Sequence, residues 1–237
     1  AFREYDTEET PEGCVAFQLT VKGLRGGHSG MDIHKGFGNA NKLMNRLLFA
    51  LDEEVDMGVA SINGGGLRNA IPRESVAVIV VNKAEKEALL ETLADEVEAI
   101  KHEYSVTEPT LEVLVETAAI PEQVMSYPAQ WELLRALYSA HNGVYRMSQT
   151  IEDLVETSNN VARVEVANGE AKVLCLTRSS SETSKFFLAD AIRSALELGG
   201  FEVEYSGSYP GWEPDVNSSI LKEMTGLYKE LFGEEVQ

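Results

Sequence analysis

Apolar residues recur along this chain at two periods, and the elements change where the period changes. Val15, Phe17, Leu19 and Val21 alternate with Ala16, Gln18, Thr20 and Lys22, which predicts a strand buried on one face. The glycine-rich stretch Gly23–Gly30 ends it. Over Asn39–Glu54 the period lengthens, and Leu43, Leu47 and Leu51 fall on one side of a helix. Met57–Ile62 and Ser75–Val81 return to strand composition, split by Asn63-Gly64-Gly65-Gly66 and Pro72. The longest helical stripe, Leu89, Leu93, Val97, Ile100 and Tyr104, lies within Glu85–Tyr104. Leu111, Val113 and Val115 predict a strand after it.

The second half repeats much of this order. Pro128 opens a helix carrying Trp131, Leu134 and Leu137, proline being well tolerated in a first helical turn. Gly143–Thr150 reads as a strand. Asn168-Gly169 predicts a hairpin between Arg163–Ala167 and Ala171–Leu176, since both turn positions require positive φ. Ser179 and Glu182 have the spacing of a capping box for a helix with Leu188, Ile192 and Leu196, stopped at Gly199-Gly200. Phe201, Val203 and Tyr205 predict one more strand. A last helix, Ser218–Phe232, is expected to turn Ile220, Met224, Leu227 and Leu231 inward, with Gly233 beyond its end. The order predicts an α+β fold: an antiparallel sheet with helices on one face, in a duplicated ferredoxin-like βαββαβ pattern whose second copy lacks its opening strand.

Composition narrows the function classes. The 237 residues are 43% apolar and 25% charged, which is globular rather than disordered. Asp and Glu number 39 against 20 Lys and Arg, a net charge of −19; such an acidic surface repels phosphate backbones and argues against nucleic acid. The longest purely apolar run, Val76–Val81, falls far short of the roughly 20 residues that span a bilayer, so no membrane partner is expected. Cys14 and Cys175 form no CxxC pair; neither a disulfide framework nor a zinc knuckle is indicated, and a reducing, cytoplasmic setting is the default. The opening Ala-Phe-Arg-Glu-Tyr-Asp lacks an initiator Met and the features of a signal peptide, which reads as a segment of a longer protein.

Candidate chemistry is sparse. There is no HExxH, and Gly36-Phe37-Gly38 lacks the third glycine of a dinucleotide fingerprint. His102 and His141 are isolated. Within Gly26–His34, flanking glycines hold His28 on a turn. Three roles remain open for it: one metal ligand of a set with Asp32 and His34, a hydrogen-bond donor to an oxygen that becomes negative in a transition state, or a cap on its own turn. Arg68 and Asn69, in Asn63–Pro72, suit a carboxylate, guanidinium binding it bidentately and amide adding a neutral donor; a solvated turn is the alternative. Arg178 stands just before a helix start, where anions are favoured, or else pairs with a surface Glu. Tyr209-Pro210-Gly211-Trp212 is a rigid aromatic turn, either a packing corner or a binding wall.

Taken together, Gly23–Gly30, Gly38-Asn39-Ala40-Asn41, Leu67–Glu74, Val155–Ser158, Arg178-Ser179 and Tyr209–Trp212 occur in an order and at intervals that resemble the carnosinase-like zinc peptidase family. The resemblance covers nearly the whole chain but only about the middle and later half of a family member. It implies a lid and dimerisation domain inserted into a catalytic domain that binds two zinc ions and hydrolyses small dipeptides, Xaa-His among them. The family's metal ligands and glutamate base lie before residue 1 and after residue 237, so the segment alone is expected to be inactive. By motif match His28 would hydrogen-bond the scissile carbonyl oxygen, across a homodimer, while Asn69 and Arg178 would recognise the substrate's carboxylate. Asn160 would also contact substrate, and Tyr209 would edge the pocket. The implied division is a tail over 1–14 leading from the absent catalytic domain, a lid over 15–207 with pseudo-repeats at about 15–117 and 128–207, and a turn and helix over 208–237 belonging to the catalytic domain. Two rivals stand beside it: a non-enzymatic ferredoxin-like module that binds a small ligand or dimerises, and a self-contained metal site at His28, Asp32 and His34.

Overall fold

A computed structural model describes residues 1–213, 215 and 217–234; Pro214, Val216 and 235–237, part of the stretch assigned above to the catalytic domain, lie outside the described residues. In chain order the first half comprises strands β1 (Phe2–Glu4), β2 (Thr7–Glu9), β3 (Cys14–Lys22) and β4 (Gly27–His28), helix α1 (Ala40–Glu54), strands β5 (Met57–Gly65), β6 (Ala70–Ile71) and β7 (Ser75–Asn82), helix α2 (Lys86–Glu103) and strand β8 (Glu112–Ala118). The second half follows with β9 (Gln123–Met125), α3 (Tyr127–Ser139), β10 (Gly143–Met147), β11 (Val155–Ala167), β12 (Glu170–Ser179), α4 (Glu182–Leu198) and α5 (Ser219–Phe232).

The main sheet runs β8-β3-β7-β5-β11-β12-β1, with β10 also paired to β11, and its pairings are antiparallel. The quartet β8-β3-β7-β5 is the ferredoxin-like arrangement that the first half predicts. Leu43, Leu47 and Leu51 of α1 pack with Leu19, Val59 and Ile79 of the sheet, and the same core continues through Leu133, Leu134, Leu188 and Ile192 to Val164 and Val173. Each such fully buried side chain stabilises the fold by about 1.5–3 kcal/mol. On the opposite face Val124 covers Ala16 and Val80.

The second copy does have an opening strand, and the chain's start supplies it. Phe2–Glu4, expected as a tail, pairs antiparallel with Lys172–Glu170. The predicted strand Phe201–Tyr205 is reduced to a single bridge, Phe2 with Glu202. The two copies join where β5 lies against β11, Gly65 opposite Arg163 and Ile62 opposite Val166. Here Gly64 and Gly65, read from sequence as part of a turn, extend the strand. A Cβ on Gly64 would stand 2.0 Å from Asn41 Oδ1, and one on Gly65, at φ +74°, 1.9 Å from the Ala162 carbonyl oxygen. Only glycine allows that approach. Lys42 adds a second tie: its Nζ donates to the carbonyls of Leu137, Tyr138 and Ala140 at the end of α3. Burial pulls its ammonium down to about 8.

Two helix details differ from the sequence reading. The cap of α4 is Ser181, without a side-chain cap bond; Ser179 Oγ is taken up by Thr157 Oγ1 at 2.8 Å and by the Ser181 N–H, so the capping box read from Ser179 and Glu182 does not form. In α5, Ile220, Met224, Leu227 and Leu231 are exposed rather than inward. The stripe is present, but no described element of this chain covers it.

Candidate functional site

His28 is fixed by its own loop. Gly26 and Gly27 take φ of 64° and 148°, conformations that side chains rarely adopt, and a Cβ on Gly27 would meet Asp32 at 2.9 Å. Asp32 Oδ2 accepts the His28 N–H at 2.7 Å while Oδ1 bonds Lys35 Nζ at 2.6 Å. The Lys35 bond, and then the His28 N–H, hold the Asp32 carboxyl below its usual range. The His28 ring is oriented in turn: Nδ1 accepts from the N–H groups of Gly30 and Met31 at 3.2 and 3.1 Å. In the neutral ring the proton therefore sits on Nε2, which is left as a donor.

Neighbouring elements bring the other candidates to this loop. Gly27–His28 pairs with Ile71–Ala70, and the Ser29 N–H donates to the Asn69 carbonyl at 2.9 Å. The Asn69 side chain is exposed. Arg178, opposite Ser158 near the end of β12, reaches the loop from the other side. The position that a Cβ of Gly30 would occupy is 3.3 Å from His28 Cε1 and 3.4 Å from both Cδ and Nε of Arg178. Arg178 Nη1 donates to the Tyr209 hydroxyl at 3.2 Å, whereas its Nε is buried without a hydrogen-bond partner. Gly30, Arg68, Ser158, Arg178, Lys185 and Tyr209 all border one cavity of about 470 Å³.

Lys185, which sequence reasoning passed over, and Glu182, read there only as half of a capping box, hold the aromatic turn. Lys185, only 8% exposed, donates to Glu182 at 2.8 Å, to Ser208 Oγ at 3.2 Å and to the Tyr209 carbonyl at 2.8 Å. Glu182 also accepts from the Gly211 N–H at 3.0 Å, and its carboxyl is lowered first by Lys185 and then by that N–H. A Cβ on Gly211 would lie 2.4 Å from the Ser180 carbonyl oxygen, so the turn presses on the backbone before α4. A Glu–Lys pair three apart in a first helical turn was the available signal, but it reads as an ordinary surface pair.

Asn160 is in a different situation from the one its motif match implies. It is fully buried, and its amide is spent on protein: Nδ2 donates to the carbonyls of Ala70 and Arg68, and Oδ1 accepts from Asn39 Nδ2. The single-metal alternative is not favoured by the loop, where Asp32 caps the His28 N–H and binds Lys35 and His28 Nδ1 faces two amides. Among the described residues no group of three or more His, Cys, Asp or Glu is placed to hold a metal. Likewise, no helix is long and apolar enough to cross a membrane.

Residues 17–108 match the family model described as a peptidase dimerisation domain. The chain is 39% identical over 230 residues to the cytosol non-specific dipeptidase of Escherichia coli (strain K12), covering 97% of this chain and 47% of that protein. The crystal structure of aminoacylhistidine dipeptidase from Vibrio alginolyticus matches with a TM-score of 0.95 at 37% identity, over 99% of this chain and 48% of that one. The chain thus spans about half the length of the relatives it matches.

Proposed function

We infer that this chain, which carries a peptidase dimerisation domain, is the substrate-gripping and dimerising segment of a longer, cytoplasmic, metal-dependent dipeptidase. The observation that carries the reading is the meeting of His28 and Arg178 across Gly30, with one guanidinium N–H buried and unpartnered. A dipeptide offers two groups that such a pair suits. Its carboxylate would satisfy Arg178 Nε and lie within reach of a neutral amide donor such as Asn69. Its scissile carbonyl oxygen, negative in the transition state, would take the Nε2–H of His28. Tyr209, bonded to Arg178, would edge the same cavity.

The described residues offer no ligand set for a metal. The two ions, zinc on this reading, therefore belong to the rest of the longer protein, and the segment by itself is inactive. The uncovered apolar stripe of α5 supports assigning 208–237 to that other part. A homodimer, with His28 serving the partner's site, belongs to the same reading.

Testing it requires the full-length, metal-loaded protein. Dipeptides should be hydrolysed, and His28→Ala should lower kcat by roughly 10²–10³, the cost of losing one such donor, with unfolding unchanged. Hydrolysis by the isolated segment, or equal turnover in wild type and variant, would overturn it.

A further inference from the structure

We propose that Asn160 is a positioning residue of this site: it sets Asn69 and, through Asn69, His28, without touching substrate. The proposal rests on the reading of the site as a dipeptide grip.

The geometry is a clamp. Asn160 lies in β11 opposite Leu176, two residues along from the Ser158–Arg178 pair, so the strand pair that carries Arg178 also carries the clamp. The two hydrogens of Asn160 Nδ2 go to the Ala70 carbonyl at 2.8 Å and the Arg68 carbonyl at 3.3 Å. These are the residues on either side of Asn69. A primary amide is suited to this task, because one nitrogen directs two diverging N–H groups; a hydroxyl has one donor and a carboxylate none.

The clamp is anchored at its other end. Asn160 Oδ1 accepts from Asn39 Nδ2 at 3.2 Å. Asn39 in turn caps α1, its Oδ1 accepting from the N–H groups of Asn41 and Lys42 at 3.0 and 3.2 Å. The 68–70 turn is thus tied to the start of a buried helix.

Apart from its own Ala70 N–H bond to the Leu67 carbonyl at 3.0 Å, little else within reach of solvent-facing 66–69 holds that turn. Leu67, Arg68 and Asn69 are exposed, and a Cβ on Gly66 would meet nothing within 4 Å. Whatever fixes it also fixes His28, since the Asn69 carbonyl accepts from Ser29 and Ala70–Ile71 pairs with His28–Gly27. A fully satisfied buried amide of this kind specifies one arrangement strongly.

Asn160→Asp tests it, since the carboxylate keeps the shape and turns both donors into acceptors facing carbonyls. Two measurements are made. In this chain, amide hydrogen exchange should quicken in peptides covering 66–71 and 27–31 and stay unchanged in α2 and β8. In the full-length metal-loaded protein, kcat/KM for a dipeptide should fall roughly ten- to a hundredfold, as expected for a misplaced group. In an Asn69→Ala background, which removes the Asn69 amide but keeps the carbonyl that leads to His28, Asn160→Asp should cost less than it does alone, because residues acting through one another are not additive. If Asn160→Asp does not fold, Asn160→Ser carries the same comparisons.

Unchanged exchange at 66–71 overturns the proposal whatever the activity. Loosened exchange with unaltered kcat/KM, or full additivity with Asn69→Ala, also overturns it. A wild-type protein that cleaves no dipeptide defeats the reading of function instead, while the exchange experiment still decides whether Asn160 sets the turn.

Discussion

Lys185 Nζ stands 2.8 Å from the carbonyl oxygen of Tyr209, so a buried ammonium in the first turn of α4 holds the aromatic turn against the candidate site. A cation there opposes the helix dipole, and its partners in the turn and at Glu182 offset that. Lys185→Met should release residues 208–211 and, with Tyr209, loosen Arg178. Hydrogen bonds to a charged group contribute about 1.5–3 kcal/mol, so thermal unfolding should drop by several degrees. On the proposed reading, KM for a dipeptide in the full-length protein should rise about tenfold with a smaller change in kcat; a fall in kcat alone would count against this arrangement.

Gly30 separates His28 from Arg178, and a methyl group there would sit 3.3–3.4 Å from both. Gly30→Ala should push the two apart by a few tenths of an ångström. Steady-state kinetics of the full-length protein should show kcat/KM reduced roughly tenfold or more, with a melting temperature within a degree or two of wild type.

The seam between the two copies tolerates no side chain. Gly64→Ala would place a methyl 2.0 Å from Asn41 Oδ1 and 2.4 Å from Ser75 Oγ. Overpacking of this kind costs about 1–3 kcal/mol or more, and urea unfolding should register it as a lower midpoint. Gly66→Ala, with nothing within 4 Å, should leave the midpoint nearly unchanged.

Lys42 gives a pH signature with a definite sign. Its folded value, about 8, lies below the 10.5 of an ordinary lysine, so between those limits the unfolded chain binds the extra proton. Stability contributed at this position should rise as pH climbs from about 8 towards 10.5. Wild type should therefore gain on Lys42→Met across that window when the two are unfolded in denaturant at each pH. A flat difference would mean that the three carbonyls at the end of α3 compensate the burial of the charge.

Much of the fold could be read from residues whose local chemistry is unambiguous. The Val15–Val21 alternation became β3, Asn168 and Gly169 took φ of 53° and 81° at the hairpin, and α4 stopped at Gly199-Gly200. What escaped depends on distant partners. Phe2–Glu4 is too short to show a period, and it becomes a strand only because β12 offers it an edge. The α5 stripe shows that the helix wants a cover without saying where the cover lies. His28, Asn69 and Arg178 were singled out individually, and the structure brings His28 and Arg178 together at Gly30. The burial of Asn160 and Lys185 was invisible, because amides and lysines look alike in sequence whether they face water or backbone.

Because β1 completes the sheet of the later copy, the chain is threaded: its first residues and β12, some 170 positions on, share one ladder. A fragment holding only 128–207 would display the edge of β12 bare, inviting it to stick to its own kind. Folding must also bring β1 and β12 together across that separation, a long loop closure that slows the search. Anyone dissecting the two halves would do better to graft residues 1–5 onto the front of the second than to cut between them.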